Sequence, residues 1–293
     1  MTDIIQYRIC DYSSFSDVNQ LNRLYRSIFN VEFNKDDSYW YKKRSDRSPI
    51  GILAYENNIL IGHNGAIPLE IKINGQAEPC WMSYGSMISP AKRGQGLFTK
   101  MHIELLNHLK MNEESTAIIG FPNENSINIF LNDLSYRHIR DYSFVEIPAK
   151  PRNSSLFQAV DIDSVTIIDK KNTKNGVVHN KEYLEWRYSD SKYICMHNEK
   201  KELIIGTKYK NKLDVLYWSE GFSLDDLQAY SFFMREKNDL DMVTTWNTNS
   251  SLNSFHKYPR EYHLCIFPLS EAYDDIDLTS SNWEVFSGDC ELF

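Results

Sequence analysis

Several protein classes are excluded by what this 293-residue chain lacks. Its five cysteines, Cys10, Cys80, Cys195, Cys265 and Cys290, are scattered, odd in number and without a Cys-x-x-Cys pair. That pattern argues against a disulfide framework and fits reduced thiols. Neither Cys195-Met196-His197 nor His256 has zinc-set spacing, so no metal is expected. Long apolar runs are missing: no segment approaches the roughly 18 apolar residues of a spanning helix, and 1–13 carries acidic residues without an apolar core. The expectation is a cytoplasmic protein with no standard export signal and no membrane partner. Positive charge is in deficit, with 32 Lys and Arg against 40 Asp and Glu and a net charge of -8. This opposes general attraction to nucleic acid or anionic lipid. The short basic clusters Lys42-Lys43-Arg44 and Lys170-Lys171 read as solvated faces.

What is present is core-forming material: 42% hydrophobic and 13% aromatic residues, in a length that exceeds the usual single domain. The chain also repeats itself. The run 34–40 (NKDDSYW) aligns without gaps on 180–186 (NKEYLEW), and 58–62 (NILIG) matches 202–206 (ELIIG). Asn123-Glu124-Asn125-Ser126 recurs as Asn247-Thr248-Asn249-Ser250, each after an apolar run. Three ordered matches indicate a degenerate duplication of a domain-sized unit. The predicted domains are 1–150 and 160–293, joined by a linker within 148–159 that contains Pro151, Asn153, Ser154 and Ser155. The aromatic groups Tyr39, Trp40, Tyr41 and Tyr183, Trp186, Tyr188 read as helix packing against a sheet.

Periodicity fills in the elements. Val18, Leu21, Leu24, Tyr25 and Ile28 predict a helix over 15–30 with Ser14 or Ser16 as N-cap. Segments 50–55 and 59–67 flank Glu56-Asn57-Asn58 as a hairpin, and strand 70–73 passes through Asn74-Gly75 into a strand over 80–88. An amphipathic helix follows over 97–110, with apolar residues at 97, 98, 101, 103, 105, 106 and 109. Then come a buried strand over 117–121 and a helix over 126–134. The second half predicts strands at 193–196, 203–208, 213–218, 242–246 and 263–267, and a helix over 223–237.

The chemistry lies where strand 83–88 runs into Ser89-Pro90-Ala91-Lys92-Arg93-Gly94-Gln95-Gly96 and a helix begins at Leu97. A strand feeding a glycine turn that opens a helix leaves backbone N–H groups without partners at a positive helix end, a ready anion site. Gly94 and Gly96 let the backbone approach a diphosphate, and Arg93 can add a charge-assisted bond. The nucleoside-triphosphate and dinucleotide glycine patterns are both absent.

The run from Ile88 to Thr99 resembles the acetyl-CoA motif of the GNAT superfamily of N-acetyltransferases, and Gly120 to Ser126 with Leu134-Ser135-Tyr136 resembles its second cofactor-side block. With the duplication, the whole chain resembles tandem-GNAT acyltransferases, an α/β class in which each unit is a mostly antiparallel sheet flanked by helices. The resemblance implies that one unit keeps the cofactor site and the other is degenerate. It places the pantetheine arm of acetyl-CoA on backbone groups of Met87 and Ile88. The diphosphate falls on the amides of Arg93, Gly94, Gln95, Gly96, Leu97 and Phe98, with Thr99 closing the motif, and Asn125 faces the cofactor. Three positions depart from the family: Ala91 stands where Gln or Arg is frequent, Leu131 where a proton-donating Tyr is common, and Ser135 where Gly precedes the aromatic residue.

Direct transfer to an amine needs a proton acceptor and oxyanion donors but no covalent enzyme intermediate. His63 is the first candidate base, since imidazole titrates near neutrality. Tyr84 either donates to the leaving thiolate or packs, and Glu124 is a third candidate. The implied activity is acyl-CoA-dependent N-acylation of a small polar amine, such as an amino sugar. A non-catalytic CoA-binding module and an aminoacyl-tRNA-dependent transferase of the peptidoglycan-branching type are the alternatives. The acceptor, acyl length and oligomeric state stay open.

Overall fold

A computed structural model describes residues 4–30, 47–111, 115–151, 157–165, 174–248 and 250–290. The run 34–40 with Tyr39 and Trp40, Tyr41, the two basic clusters, Asn249 and the middle of the proline-containing stretch lie outside the described residues. The chain forms two compact units. The first comprises Met1–Ile71, Ala77–Ile139 and Leu264–Leu278; the second comprises Lys72–Gln76, Arg140–His263 and Thr279–Phe293.

In the first unit, β1 (Gln6–Ile9) and α1 (Phe15–Phe29) precede a meander of β2 (Ile50–Glu56), β3 (Ile59–Ile73) and β4 (Gln76–Ile88). Helix α1 buries Val18, Leu21 and Leu24 and stops at Asn30, whose left-handed φ of 53° lets its N–H reach Arg26 O. Ser14 occupies the N-cap without a side-chain bond. The first turn is held instead by Asp17, which accepts from Arg8 at 2.7 Å. Both hairpin turns use the positive φ that asparagine tolerates: Asn57 50°, Asn58 64° and Asn74 52°, with Gly75 at 86°. The strands predicted at 59–67 and 70–73 are one element, β3, because Pro68 falls inside an otherwise continuous buried run. Next come α2 (Leu97–Lys110), β5 (Ala117–Gly120) and β6 (Arg137–Glu146).

Alternation divides the sheet's two faces. Ile52, Ala54 and Ala66 pack with Leu97, Met101, Leu105, Leu106 and Leu109 of α2. Leu53, Leu60 and Met87 pack with Cys10, Leu21 and Leu24 on the α1 side. Periodicity assigned Ile103 to the buried stripe of α2, yet Ile103 is 42% exposed and His102 is fully buried in its place. The difference is one 100° step around the helix. It is tolerated because Asn64 of β3 and Tyr136, just before β6, supply His102 with polar partners.

The second unit has β7 (Gln158–Ala159), β8 (Gly176–Val177), α3 (Lys181–Tyr188), the antiparallel meander β9 (Tyr193–His197), β10 (Leu203–Tyr209) and β11 (Lys212–Trp218), then α4 (Leu224–Asn238), β12 (Met242–Trp246) and β13 (Lys257–Pro268). Element order thus matches the first unit: a meander, a helix, and a strand parallel to the meander's last member. The matched motifs 58–62 and 202–206 both fall at the start of the meander's middle strand. Each lies at a register irregularity, between Ala54 and Tyr55 opposite β3 and between Ile205 and Gly206 in β10.

Each unit is completed by a strand from the other half of the sequence. In the first, Cys265–Pro268 of β13 pair with Gly120–Ala117 of β5. In the second, Glu146–Phe144 of β6 pair with Thr244–Trp246 of β12. A fragment of residues 1–150 therefore leaves the outer edge of β5 unpaired. We expect it to lack a cooperative thermal transition by circular dichroism and to regain one when coexpressed with 151–293. A cooperative transition in the fragment alone would contradict this topology.

Candidate active site

Strand β4 is regular until it leaves its neighbour. It pairs in parallel with β5 only over Cys80–Met82 opposite Ala117–Ile119, and then runs on as Ser83–Ile88 while β5 ends at Gly120. The two strands form a fork open beyond Met82. Within the free arm Gly85 takes a φ of 60°, and its carbonyl accepts from His63 Nδ1 at 2.6 Å.

At the arm's tip Ser89 N donates to Ile61 O at 2.8 Å, and a single 3-10 turn, Pro90–Lys92, follows. Lys92 is paired with Glu56 at 2.5 Å. Gly94 (72°) and Gly96 (70°) both take the left-handed conformation. A Cβ at either position would meet nothing within 4 Å, so backbone conformation rather than crowding demands glycine. Gly96 is the N-cap of α2 and offers no side-chain bond. The first bond of that helix is Lys100 N to Gly96 O at 3.2 Å. Among the described residues, the amides of Gly94, Gln95, Gly96, Leu97, Phe98 and Thr99 have no acceptor in the chain. The Arg93 amide reaches Pro90 O at a long 3.4 Å. Arg93 Nε donates to Ile88 O at 3.3 Å, and Gln95 Nε2 to Ala91 O at 3.2 Å, so both side chains brace the turn. The result is an exposed crown of donors at a positive helix end.

The second unit fills the corresponding positions. Strand β11 pairs with β12 over Lys212–Asp214 and runs on to Trp218, but Val215 O there accepts from Ser287 Oγ at 3.0 Å. Gly288 packs so closely on Leu216 O that a Cβ would lie 2.9 Å away. At the mouth of α4, Ser223 Oγ accepts from Asp226 N at 3.1 Å and Asp226 accepts from Ser223 N at 3.0 Å, a complete capping box. A carboxylate sits where an anion would otherwise bind.

The other predicted residues divide. His63 and Tyr84 come together, with ring centroids 5.9 Å apart. His63 is 2% exposed, and its Nε2 lies 2.8 Å from Tyr12 Oη. Since Nδ1 must donate to the Gly85 carbonyl, Nε2 accepts from the tyrosine. Burial lowers the imidazole to about 4. The cluster fits because the cross-strand pair Gly51 and Gly65 leaves it room: a Cβ on Gly51 would lie 2.3 Å from Tyr12 Oη, and one on Gly65 2.6 Å from Tyr84. Glu124 and Asn125 are exposed in the turn after β5, and Asn125 N donates to Asn123 Oδ1 at 3.0 Å. No contact among the described residues links Glu124 to His63 or Tyr84. The helix predicted over 126–134 is helical over 127–133, with Ile129–Asp133 in π form. Ser135 then takes a φ of 58°, which accounts for the glycine usual there.

Sequence reasoning missed Tyr12, Asn64, His102 and Tyr136. Asn64 Nδ2 lies 2.8 Å from His102 Nδ1, and His102 Nε2 lies 2.8 Å from Tyr136 Oη. All three are buried, and burial lowers His102 to about 3. Nothing local in the sequence marks Tyr12, Asn64 or His102, and Tyr136 stands out there only within Leu134-Ser135-Tyr136.

Residues 11–128 match the acetyltransferase (GNAT) domain family. The first part of the chain thus carries a GNAT-type acetyltransferase domain, and the match includes the junction from β4 into α2. Among solved structures, the chain is similar to GCN5-related N-acetyltransferases from Kribbella flavida (10% identity, TM-score 0.66, 90% of this chain and 71% of that one) and Anabaena variabilis (13%, 0.65, 90% and 73%). It is also similar to Saccharomyces cerevisiae N-myristoyltransferase with bound myristoyl-CoA (10%, 0.61, 91% and 83%). No curated protein matches it in sequence.

The two buried imidazoles set a pH response. In the unfolded chain each gains a proton near its ordinary 6.5, whereas the folded protein resists until about 4 and about 3. The unfolded state thus binds more protons below 6.5, and stability is lost as pH falls from about 6.5 toward 4. We expect the urea midpoint to drop between pH 7 and pH 5, and His63→Gln and His102→Gln each to flatten that slope. An unchanged slope in both variants would contradict the assignment.

Proposed function

We propose that the first unit binds an acyl-CoA, acetyl-CoA being the simplest donor, and passes the acyl group directly to the amine of a small polar acceptor such as an amino sugar. The observation that carries this reading is the contrast between the two helix mouths. Helix α2 opens on left-handed glycines and unmatched amides, whereas α4 opens on Ser223 and Asp226.

In this reading the amides from Arg93 to Thr99 receive the diphosphate, Arg93 adds charge, and Met87 and Ile88 line the free arm of β4 beside the pantetheine. Asn125 lies beyond the end of the other arm. Splayed backbone N–H groups near Met87 supply oxyanion donors at a site open to substrate but backed by an apolar wall. His63, with both nitrogens engaged, serves better as a clamp on the Gly85 carbonyl than as a base. Glu124, in contact with solvent, is the better placed of the carboxylate and imidazole candidates to accept the amine's proton, directly or through water. Tyr84, 1% exposed, packs beside His63 and can donate only if the fork admits the thiolate to it. A second reading, a CoA-binding module without turnover, is favoured by one observation: Leu131 packs against the apolar core where a tyrosine is common.

Isothermal titration with CoA separates these from a structural turn. Gly94→Val and Gly96→Val each strain the turn by about 1–2 kcal/mol and should weaken CoA at least tenfold in a folded protein. Ser223→Ala should lower stability by about 1 kcal/mol and leave CoA affinity unchanged. Amine-dependent CoASH release from acetyl-CoA marks the enzyme, and binding without release marks the module. CoA affinity untouched by either glycine variant would overturn both.

A further inference from the structure

A line of polar groups crosses the apolar layer between α2 and the sheet and ends at the fork. Asn64, on the α2 face of β3, and His102 are both 0% exposed among Met101, Leu105 and Phe130. Burying two such groups is unfavourable unless their hydrogen bonds are satisfied, and an apolar pair would pack there at no such cost. They are satisfied in one order. Asn64 Nδ2 can only donate, so His102 Nδ1 accepts at 2.8 Å and the ring proton sits on Nε2, which donates to Tyr136 Oη at 2.8 Å. Because burial keeps His102 neutral, that tautomer persists. The amide oxygen of Asn64 is thereby turned the other way, where it accepts from Ser86 Oγ at 3.1 Å.

Ser86 is the outlet of this line. It belongs to the free arm Ser83–Ile88, and it is exposed while Gly85 and Met87 on either side are buried. A serine hydroxyl has one proton and two lone pairs. With the proton held inward by Asn64, the oxygen presents only lone pairs to whatever enters the fork.

We propose that Ser86 Oγ accepts a hydrogen bond from an N–H of a substrate bound in the fork, and that Asn64, His102 and Tyr136 are positioning residues that fix its polarity. This rests on the reading of the fork as an acyl-CoA site. Two N–H donors meet the description: an amide of the donor's pantetheine arm, and the attacking amine. For the amine, an N–H held by Ser86 leaves the nitrogen lone pair free for the thioester carbon. No proton is transferred to Ser86, which stays a neutral hydroxyl throughout.

The test compares wild type, Ser86→Ala, Ser86→Thr and His102→Leu by titration with CoA and with adenosine 3′,5′-bisphosphate, which lacks the pantetheine arm, and by CoASH release from acetyl-CoA with a panel of primary amines that includes glucosamine. Losing one such bond costs about five- to tenfold in affinity. If the pantetheine amide is the donor, Ser86→Ala weakens CoA by that factor, the bisphosphate is unaffected, and Ser86→Thr restores the difference. If the amine is the donor, CoA affinity is unchanged and the amine KM rises by the same factor in Ser86→Ala. His102→Leu should reproduce whichever effect is seen, without loss of bisphosphate binding. A merely destabilised fold would not give that selectivity. Equal CoA affinity in wild type and Ser86→Ala, with no amine-dependent difference between them, overturns the proposal whether or not an amine is turned over. Failure of wild type to bind either nucleotide sinks the acyl-CoA reading itself, a distinguishable outcome.

Discussion

Two left-handed backbone positions, Gly94 and Gly96, shape the first unit's central junction because they let the chain leave strand β4 and enter α2 without any side chain folding back over the helix mouth. The first four N–H groups of any helix lack intrahelical partners, and most proteins satisfy them locally. Here the satisfaction is left to solvent or a ligand. In the second unit the same junction is closed by Ser223 and Asp226, and the free arm of β11 is covered by the chain's own Ser287 and Gly288. One architecture therefore appears twice, once with an open helix mouth and once with a sealed one.

The fork depends on a second layer of constraints. Strand β4 stands clear of β5 beyond Met82, Gly85 breaks its regular course within that free arm, and the Gly85 carbonyl is held by His63, which is held in turn by Tyr12. These bonds sit on the α1 side, above the paired glycines 51 and 65. The line from Ser86 through Asn64 to His102 and Tyr136 sits on the α2 side. The free arm is thus tied from both faces by neutral hydrogen bonds, which give direction without burying charge.

Much of this was legible in the sequence where the determinant is local. Helix α2 begins and ends at the residues its periodicity indicated, and the strand-turn-helix junction followed from glycine spacing alone, because φ preference is a property of the residue itself. The two hairpins followed from Asn57-Asn58 and Asn74-Gly75 for the same reason. The surroundings of His63 were less legible. His63 looks like a titrating strand residue until Tyr12 and the Gly85 carbonyl, distant in sequence, are placed against it. His102 is hidden in a helical pattern that Ile103 satisfies equally well, and only Asn64 and Tyr136 decide between them. The helix after β5 was legible from its Asn/Ser opening, but its π form over Ile129–Asp133 and the left-handed φ at Ser135 were not, since neither is suggested by the identity of these residues.

The central claim is that the α2 mouth, and not the α4 mouth, is the anion site. Amide hydrogen exchange with and without saturating CoA measures it residue by residue. The account predicts new protection concentrated on the amides from Gly94 to Thr99, with those from Ser223 to Leu227 unchanged. Protection at the α4 mouth, or none at the α2 mouth while CoA is bound, would contradict it.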